Sequence, residues 1–238
     1  MNRSRNGQKP VEDALRAVCW ILPLLIIATA HASASENADR LLLHQLDLSI
    51  ATPSGVTAAI AYTPTFSFFD HRLNAGIGGR FSSFFGSGSV VFPNGNAALI
   101  AAGARDTLTV DQPRSYALNL MFAVSVRLFA GLEAGMNIDL IGIGFGPEVT
   151  GQYAGLEPAL SGAQRASPSR LNLFLFGRHD YGQLDSEFFA GYWWGSWGVR
   201  AGVSHMSTEY TSSRPLDGNN DRFRASATRG FVALGYRF

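Results

Sequence analysis

From about residue 43 onward, apolar and polar residues alternate with a period of two. The run beginning at Tyr116 shows this best. Tyr116, Leu118, Leu120, Phe122, Val124, Val126 and Leu128 interleave with Ala117, Asn119, Met121, Ala123, Ser125 and Arg127. Successive side chains of a strand point to opposite faces, so this pattern predicts a strand with one apolar face and one small or polar face. The same alternation predicts strands over Leu43 to Thr52, Val56 to Phe69, Leu73 to Phe85, Leu132 onward past Leu140, Leu184 to Trp194, Trp197 to Thr211 and Arg222 to Phe238. Short turns join several of them, at Pro53-Ser54-Gly55, Asp70-His71, Phe129-Ala130-Gly131 and Gly195-Ser196. The last suits the type II′ hairpin geometry. Long connections run over 86–113 and 151–183, and a third holds Pro215-Leu216-Asp217-Gly218. The total is eight strands. Leu171 to Phe176 also reads as a strand but sits inside the second long connection. Either it extends a hairpin beyond the main sheet, or it crosses with a further partner and the count becomes ten.

The final strand carries the most specific signal. In Gly230-Phe231-Val232-Ala233-Leu234-Gly235-Tyr236-Arg237-Phe238, one face holds Val232, Leu234, Tyr236 and Phe238, and the other ends in Arg237. Such a strand suits a wall between lipid and a polar lumen. Here the chain resembles the bacterial outer-membrane β-barrel class, whose last strand commonly ends in Phe. The resemblance implies an all-β, antiparallel transmembrane β-barrel of the small OmpA/OmpX-like shape. It also implies a place in the outer membrane of a Gram-negative bacterium, among outer-membrane lipid and lipopolysaccharide, and recognition of the last strand by the barrel-insertion machinery. An even strand count agrees with that class, and the three long connections all fall at one end of the barrel.

The amino terminus changes the picture by adding an export address. Arg3, Arg5, Lys9 and Arg16 precede an apolar run from Val18 to Ala30, and Ala32-Ser33-Ala34 offers a small-x-small cleavage site, with Ala30-His31-Ala32 close behind. We read 1–34 as a cleaved signal peptide and 35–238 as one barrel domain. The single cysteine, Cys19, falls in the leader, which leaves no disulfide or thiolate chemistry in the mature part. A formal net charge of +1 gives a nucleic-acid partner no electrostatic support. A mean hydropathy of +0.06 excludes a helical polytopic protein.

On this register Asp47, Arg80, Arg127, Glu133, Asp139, Glu187, Arg200, Arg229 and Arg237 face the lumen. An eight-stranded barrel is just wide enough for side chains to fill. Mixed acids and bases there predict a salt-bridged plug, whereas a narrow channel for small solutes would show rings of one sign. Trp193, Trp194, Trp197, Tyr236 and Phe238 are expected to form an aromatic girdle at the periplasmic level. No spacing of His, Cys or acids suggests a metal site, and no cofactor is expected.

One cluster has catalytic residue types. In Ser204-His205-Met206-Ser207-Thr208-Glu209, His205, Ser207 and Glu209 share a strand face. The His-x-Ser pair resembles that of outer-membrane lipid A 3-O-deacylases, which implies His205 as base and Ser207 as nucleophile for acyl hydrolysis at the lipid-facing wall. Thr208 stands where that family usually has Asn, and Glu209 is not carried over as its acid. The plainer alternative is a polar rim where the strand leaves the membrane. The expected role is therefore structural or surface-interacting, with an unspecified extracellular partner; acyl hydrolysis and narrow conduction are the alternatives.

Overall fold

The computed structural model describes residues 42–52 and 55–238. The leader with its cleavage sites, and the Pro53-Ser54 part of the first turn, lie outside the described residues. The elements in chain order are β1 (Leu42–Thr52), β2 (Val56–Phe68), β3 (Leu73–Phe85), β4 (Ser89–Pro93), the short helix α1 (Ala97–Ala101) and β5 (Thr107–Asp111). They continue with β6 (Arg114–Phe129), β7 (Leu132–Phe145), β8 (Val149–Ala154), β9 (Gly162–Pro168), β10 (Leu171–Leu173), β11 (Leu184–Trp194), β12 (Trp197–Ser212) and β13 (Arg222–Arg237).

Eight of these strands close on themselves. Antiparallel pairing runs β1-β2-β3-β6-β7-β11-β12-β13, and β13 returns to β1 with Leu46 opposite Tyr236 and Ile50 opposite Val232. Closure removes the free edges that an open sheet would expose to lipid. The tight turns need residues that tolerate positive φ. Ala130 and Gly131 take φ 34° and 86°, and Gly195 takes 59°.

Every barrel strand presents apolar residues outward. Ile50, Phe66, Ile77, Leu118, Ile141, Phe188, Val203 and Val232 are all exposed. In water so continuous an apolar surface would drive association; facing lipid it is the stable arrangement. Trp194, Trp197, Tyr236 and Phe238 sit on this outer wall near the chain's end, with Trp197 and Tyr236 rings 4.8 Å apart and Tyr236 and Phe238 rings 6.0 Å apart.

β7 departs from strict alternation. The β6–β7 register shifts at Leu120/Met121, so Met121 faces Asp139 while Leu120 faces Ile141. The extra residue flips the parity beyond it. Ile141, Ile143 and Phe145 are therefore exposed outward, although Asp139 below them is buried inward. The Gly142 to Gly146 run continues this strand, and Gly142 lies so close to the Leu118 carbonyl and the Asn119 amide that no Cβ fits there.

The count is eight, not ten. Leu171–Leu173 pairs with Ile141–Ile143 of β7, directly in line with β11, whose Ser186 lies opposite Ile138. β10 and β11 thus form one interrupted strand. Between them the chain leaves the wall and returns, and the excursion is closed by reciprocal backbone bonds between Leu173 and Tyr181 at 3.0 and 2.9 Å.

The long connections fold rather than wander. β4, β5, β8 and β9 pair in that order, and β9 joins the top of β12 through Ala166 opposite Ser212. Their inner faces pack around Phe92, Leu108, Val110, Tyr153, Tyr210 and Phe223. Asp106 ties two connections together, accepting from Asn94 at 2.6 Å and Asn220 at 2.9 Å.

Phe238 closes the seam. Its backbone exchanges hydrogen bonds with His44 at 3.0 and 3.3 Å, and its ring stacks on His44 at 5.6 Å. Deleting Phe238 is expected to lower the amount of folded protein in the outer membrane of cells, while purified variant refolded in detergent keeps its heat-modifiable gel mobility. Surface levels equal to those of the parent would contradict this.

Candidate functional site

The lumen is built from the inward face of each barrel strand. At mid-height Arg80 on β3 is 1% exposed and meets three carboxylates. Its Nη2 lies 3.0 Å from Glu187 Oε2, and its Nη1 lies 3.4 Å from Asp139 Oδ1 and 3.5 Å from Asp185 Oδ2. Each acid has further donors. Asn119 donates to Asp139 at 2.8 Å, Ser204 to Asp185 at 2.6 Å and Asn137 to Glu187 at 2.7 Å. Arg80 Nη1 and Asp139 Oδ1 make no hydrogen bond among the described residues, so their burial is offset by the ion pairing alone.

Two further sets lie toward the end of the barrel that holds Phe238. Arg200 pairs with Asp47 at 2.9 Å, while Gln45 donates to the second Asp47 oxygen at 2.7 Å. Arg237 holds Glu133 through one nitrogen at 2.8 and 2.9 Å to its two oxygens, and its Nε donates to Gln45 at 2.9 Å. The Arg237 guanidinium also lies 3.5 Å from the Trp193 ring centroid.

The predicted lumen residues thus divide. Asp47, Arg80, Glu133, Asp139, Glu187, Arg200 and Arg237 come together in these three sets. Arg127 is the register partner of Glu133 but is exposed at the barrel's mouth, and Glu133 turns to Arg237 instead. Arg229 is buried among lumen residues without a carboxylate: its Nη1 donates to Thr57 at 2.8 Å. Trp193 does not belong to the girdle. Adjacent strand residues point opposite ways, so with Trp194 outside, Trp193 turns inward and is 8% exposed. Asp185 was the acid missed, although it has the parity of Glu187 two residues on.

The other candidate site lies on the outer wall. Here β11, β12 and β13 turn polar through Ser186, His205, Ser207, Thr228 and Ser226. The excursion after β10 overhangs them. Ser186, His205, Ser207 and Ser226 line a groove of about 310 Å³ together with Phe174, Arg178, Leu184 and Arg224. His205 and Ser207 share this groove but not a hydrogen bond. His205 Nδ1 pairs with Thr228 Oγ1 at 3.0 Å, and Ser207 Oγ donates weakly to the Gly182 carbonyl at 3.4 Å. Glu209 is committed elsewhere, accepting from Arg222 at 3.0 and 2.8 Å and from Ser169 at 3.0 Å. The Arg222 guanidinium in turn stacks 3.5 Å from the centre of the Tyr181 ring and, with Arg224, donates to the Asp180 carbonyl, pinning the overhang. No cluster of metal-ligating side chains occurs among the described residues.

A closed wall of eight antiparallel strands, apolar toward lipid and charged within, defines a small outer-membrane β-barrel. Among solved structures the chain is similar to Neisserial surface protein A, with 6% identity and a TM-score of 0.39 over 83% of this chain and 96% of that one. It is also similar to Ail, the attachment invasion locus protein of Yersinia pestis solved with the heparin analogue sucrose octasulfate, at 11% identity and a TM-score of 0.32 over 83% and 96%. A third, the CymD monoaromatic hydrocarbon channel, gives 9% identity and a TM-score of 0.21 over 82% and 87%. No protein-family model and no curated protein sequence matches the chain.

Replacing Arg80 with Met removes the shared cation and leaves three buried carboxylates. Stability in lipid vesicles is expected to fall by about 3–5 kcal/mol, read from urea unfolding followed by tryptophan fluorescence. A loss under about 1 kcal/mol, the scale of an exposed pair, would mean that Arg80 is not what neutralises the set.

Proposed function

We propose that this protein is a structural wall element of the outer membrane with a surface-interaction role, exported by a signal in residues 1–34. The observation that carries this reading is the interlocked lumen. Its three cation–carboxylate sets mix both signs, and the space left beside Arg237 and Glu133 is about 20 Å³. That volume holds about one water. A selective pore needs an open path lined by one sign of charge. Above the plug, the folded external sheet is what an outside partner would meet. Arg170, Arg178 and Arg214 are exposed on the same side, where guanidinium groups can take lipid phosphates in bidentate fashion. The insertion machinery is the partner that the last strand implies.

A second reading, outer-membrane lipid acyl hydrolysis, is favoured by the groove that joins His205 and Ser207 on the lipid-facing wall. Below it, on the same strands, the small residues Ala190 and Ala201 leave an apolar depression of about 620 Å³ suited to an acyl chain. Against it stand the Thr228 partner of His205 and the Arg222 partner of Glu209, which leave no assembled nucleophile, base and acid.

Purified protein in planar bilayers is expected to give no steady conductance; reproducible unitary openings would sink the plugged-lumen reading. Lipid A mass spectra from cells with and without the protein are expected to match. An acyl chain lost with the parent protein and retained with Ser207→Ala would instead assign the hydrolase.

A further inference from the structure

The upper half of β13 has a full-length neighbour on one side only. β12 accompanies it from Arg222 to Tyr236, whereas β1 accompanies it only from Gly230 to Arg237. On the β1 side, Asn94 bridges to Phe223, and the Gly95 amide donates to the Arg222 carbonyl at 2.7 Å. Among the described residues no strand pairs with 224–228 there. The gap leads to a cavity of about 450 Å³ between β13, the end of β3 and β4.

The chemistry of this cavity is uneven. Phe84, Val90, Phe92, Ala225 and Ala227 give it an apolar side, Ser87, Ser89, Thr208 and Ser226 add hydroxyls, and Arg229 is the one charged residue among those that line it. Arg229 is 6% exposed, and its Nε has no hydrogen-bond partner. Its guanidinium lies 4.9 Å from the Phe84 ring centroid, and no ion pair to it occurs among the described residues. The other buried lumen arginines, Arg80, Arg200 and Arg237, all have a carboxylate. A buried cation without one is costly, and the cost is relieved when an anion binds.

We propose that this cavity binds a free amphiphilic carboxylate, its head on Arg229 and its apolar tail along Phe84, Val90 and Ala227, entering sideways past the upper edge of β13. The planar carboxylate matches the guanidinium fork. The volume falls within the roughly 300–1,000 Å³ of small-molecule sites. Below the cavity the lumen is filled by the Arg80 set, so the site is a dead end that retains a ligand and is compatible with a non-conducting barrel.

The test follows the arginine Nε–H resonances of ¹⁵N-arginine-labelled protein refolded in a non-ionic detergent. Arg229 is identified as the resonance lost in Arg229→Gln. Octanoate is expected to move it saturably, while acetate, inorganic phosphate and octanol at the same concentration leave it in place. Ala227→Trp and, independently, Val90→Trp in the external β4 fill the cavity, and either folded variant is expected to keep the resonance and lose the response. An unmoved resonance with octanoate overturns the proposal. So does an equal shift with acetate or phosphate, which marks a simple anion site, an equal shift with octanol, or a full response in the folded filled variants.

Discussion

A charge on the inner face of an eight-stranded barrel has no bulk water to turn to. It must find its counter-charge across the lumen, from strands far apart in sequence. Arg80 on β3 therefore draws acids from β7 and β11, Arg200 on β12 meets Asp47 on β1, and Arg237 on β13 meets Glu133 on β7. Each contact bridges strands two or three places apart around the wall and so ties their relative register. Outer-wall side chains supply compatibility with lipid, but lipid is as apolar as they are and gives them little reason to prefer one register. The interior pairs make one register cheaper than its neighbours.

The region above the plug follows a different rule. There water is available outside, and order comes from a conventional apolar core, with Phe92, Leu108, Tyr153, Tyr210 and Phe223 packed between the external sheet and the tops of β12 and β13. The two regimes meet on β12 and β13. Tyr210 and Phe223 have lumen parity yet belong to the external core, while Glu209 on the opposite face holds Arg222 and so the overhanging excursion. The changeover from salt-bridged to apolar interior leaves Arg229 between them, below the apolar core and with no carboxylate among the described residues at ion-pair distance.

The barrel was legible because alternation and strand length are local properties. Eight strands, their turns and most inward charges can be read from parity alone, and Leu43 to Thr52 or Leu184 to Trp194 needed little adjustment. Three kinds of feature were not legible. A bulge at Leu120/Met121 flips parity without any marker residue, so outward Ile141 and Ile143 contradict a simple continuation from Leu140. Doublets such as Trp193-Trp194 look like one girdle, though neighbours on a strand face opposite ways. Finally, β4, β5, β8 and β9 are each only five to seven residues long. Strands so short stand out from a Gly- and Ala-rich connection only through partners distant in sequence. At the outer-wall groove, the shared face of His205 and Ser207 was visible, but the capture of Glu209 by Arg222 depends on cross-strand placement.

The interrupted strand gives the barrel one place where sequence length is uncoupled from wall geometry. In a continuous strand, inserting one residue turns every later side chain to the opposite face. Between β10 and β11 the chain steps out of the wall at Leu173 and is clasped to itself at Tyr181 before it resumes. Residues added or removed within that excursion change neither the parity of Asp185 and Glu187 nor the circumference of the barrel. The same clasp makes 174–180 a separate element on the outer rim, tied to β13 through the Asp180 carbonyl, whose rearrangement leaves the charged interior that specifies the fold unchanged.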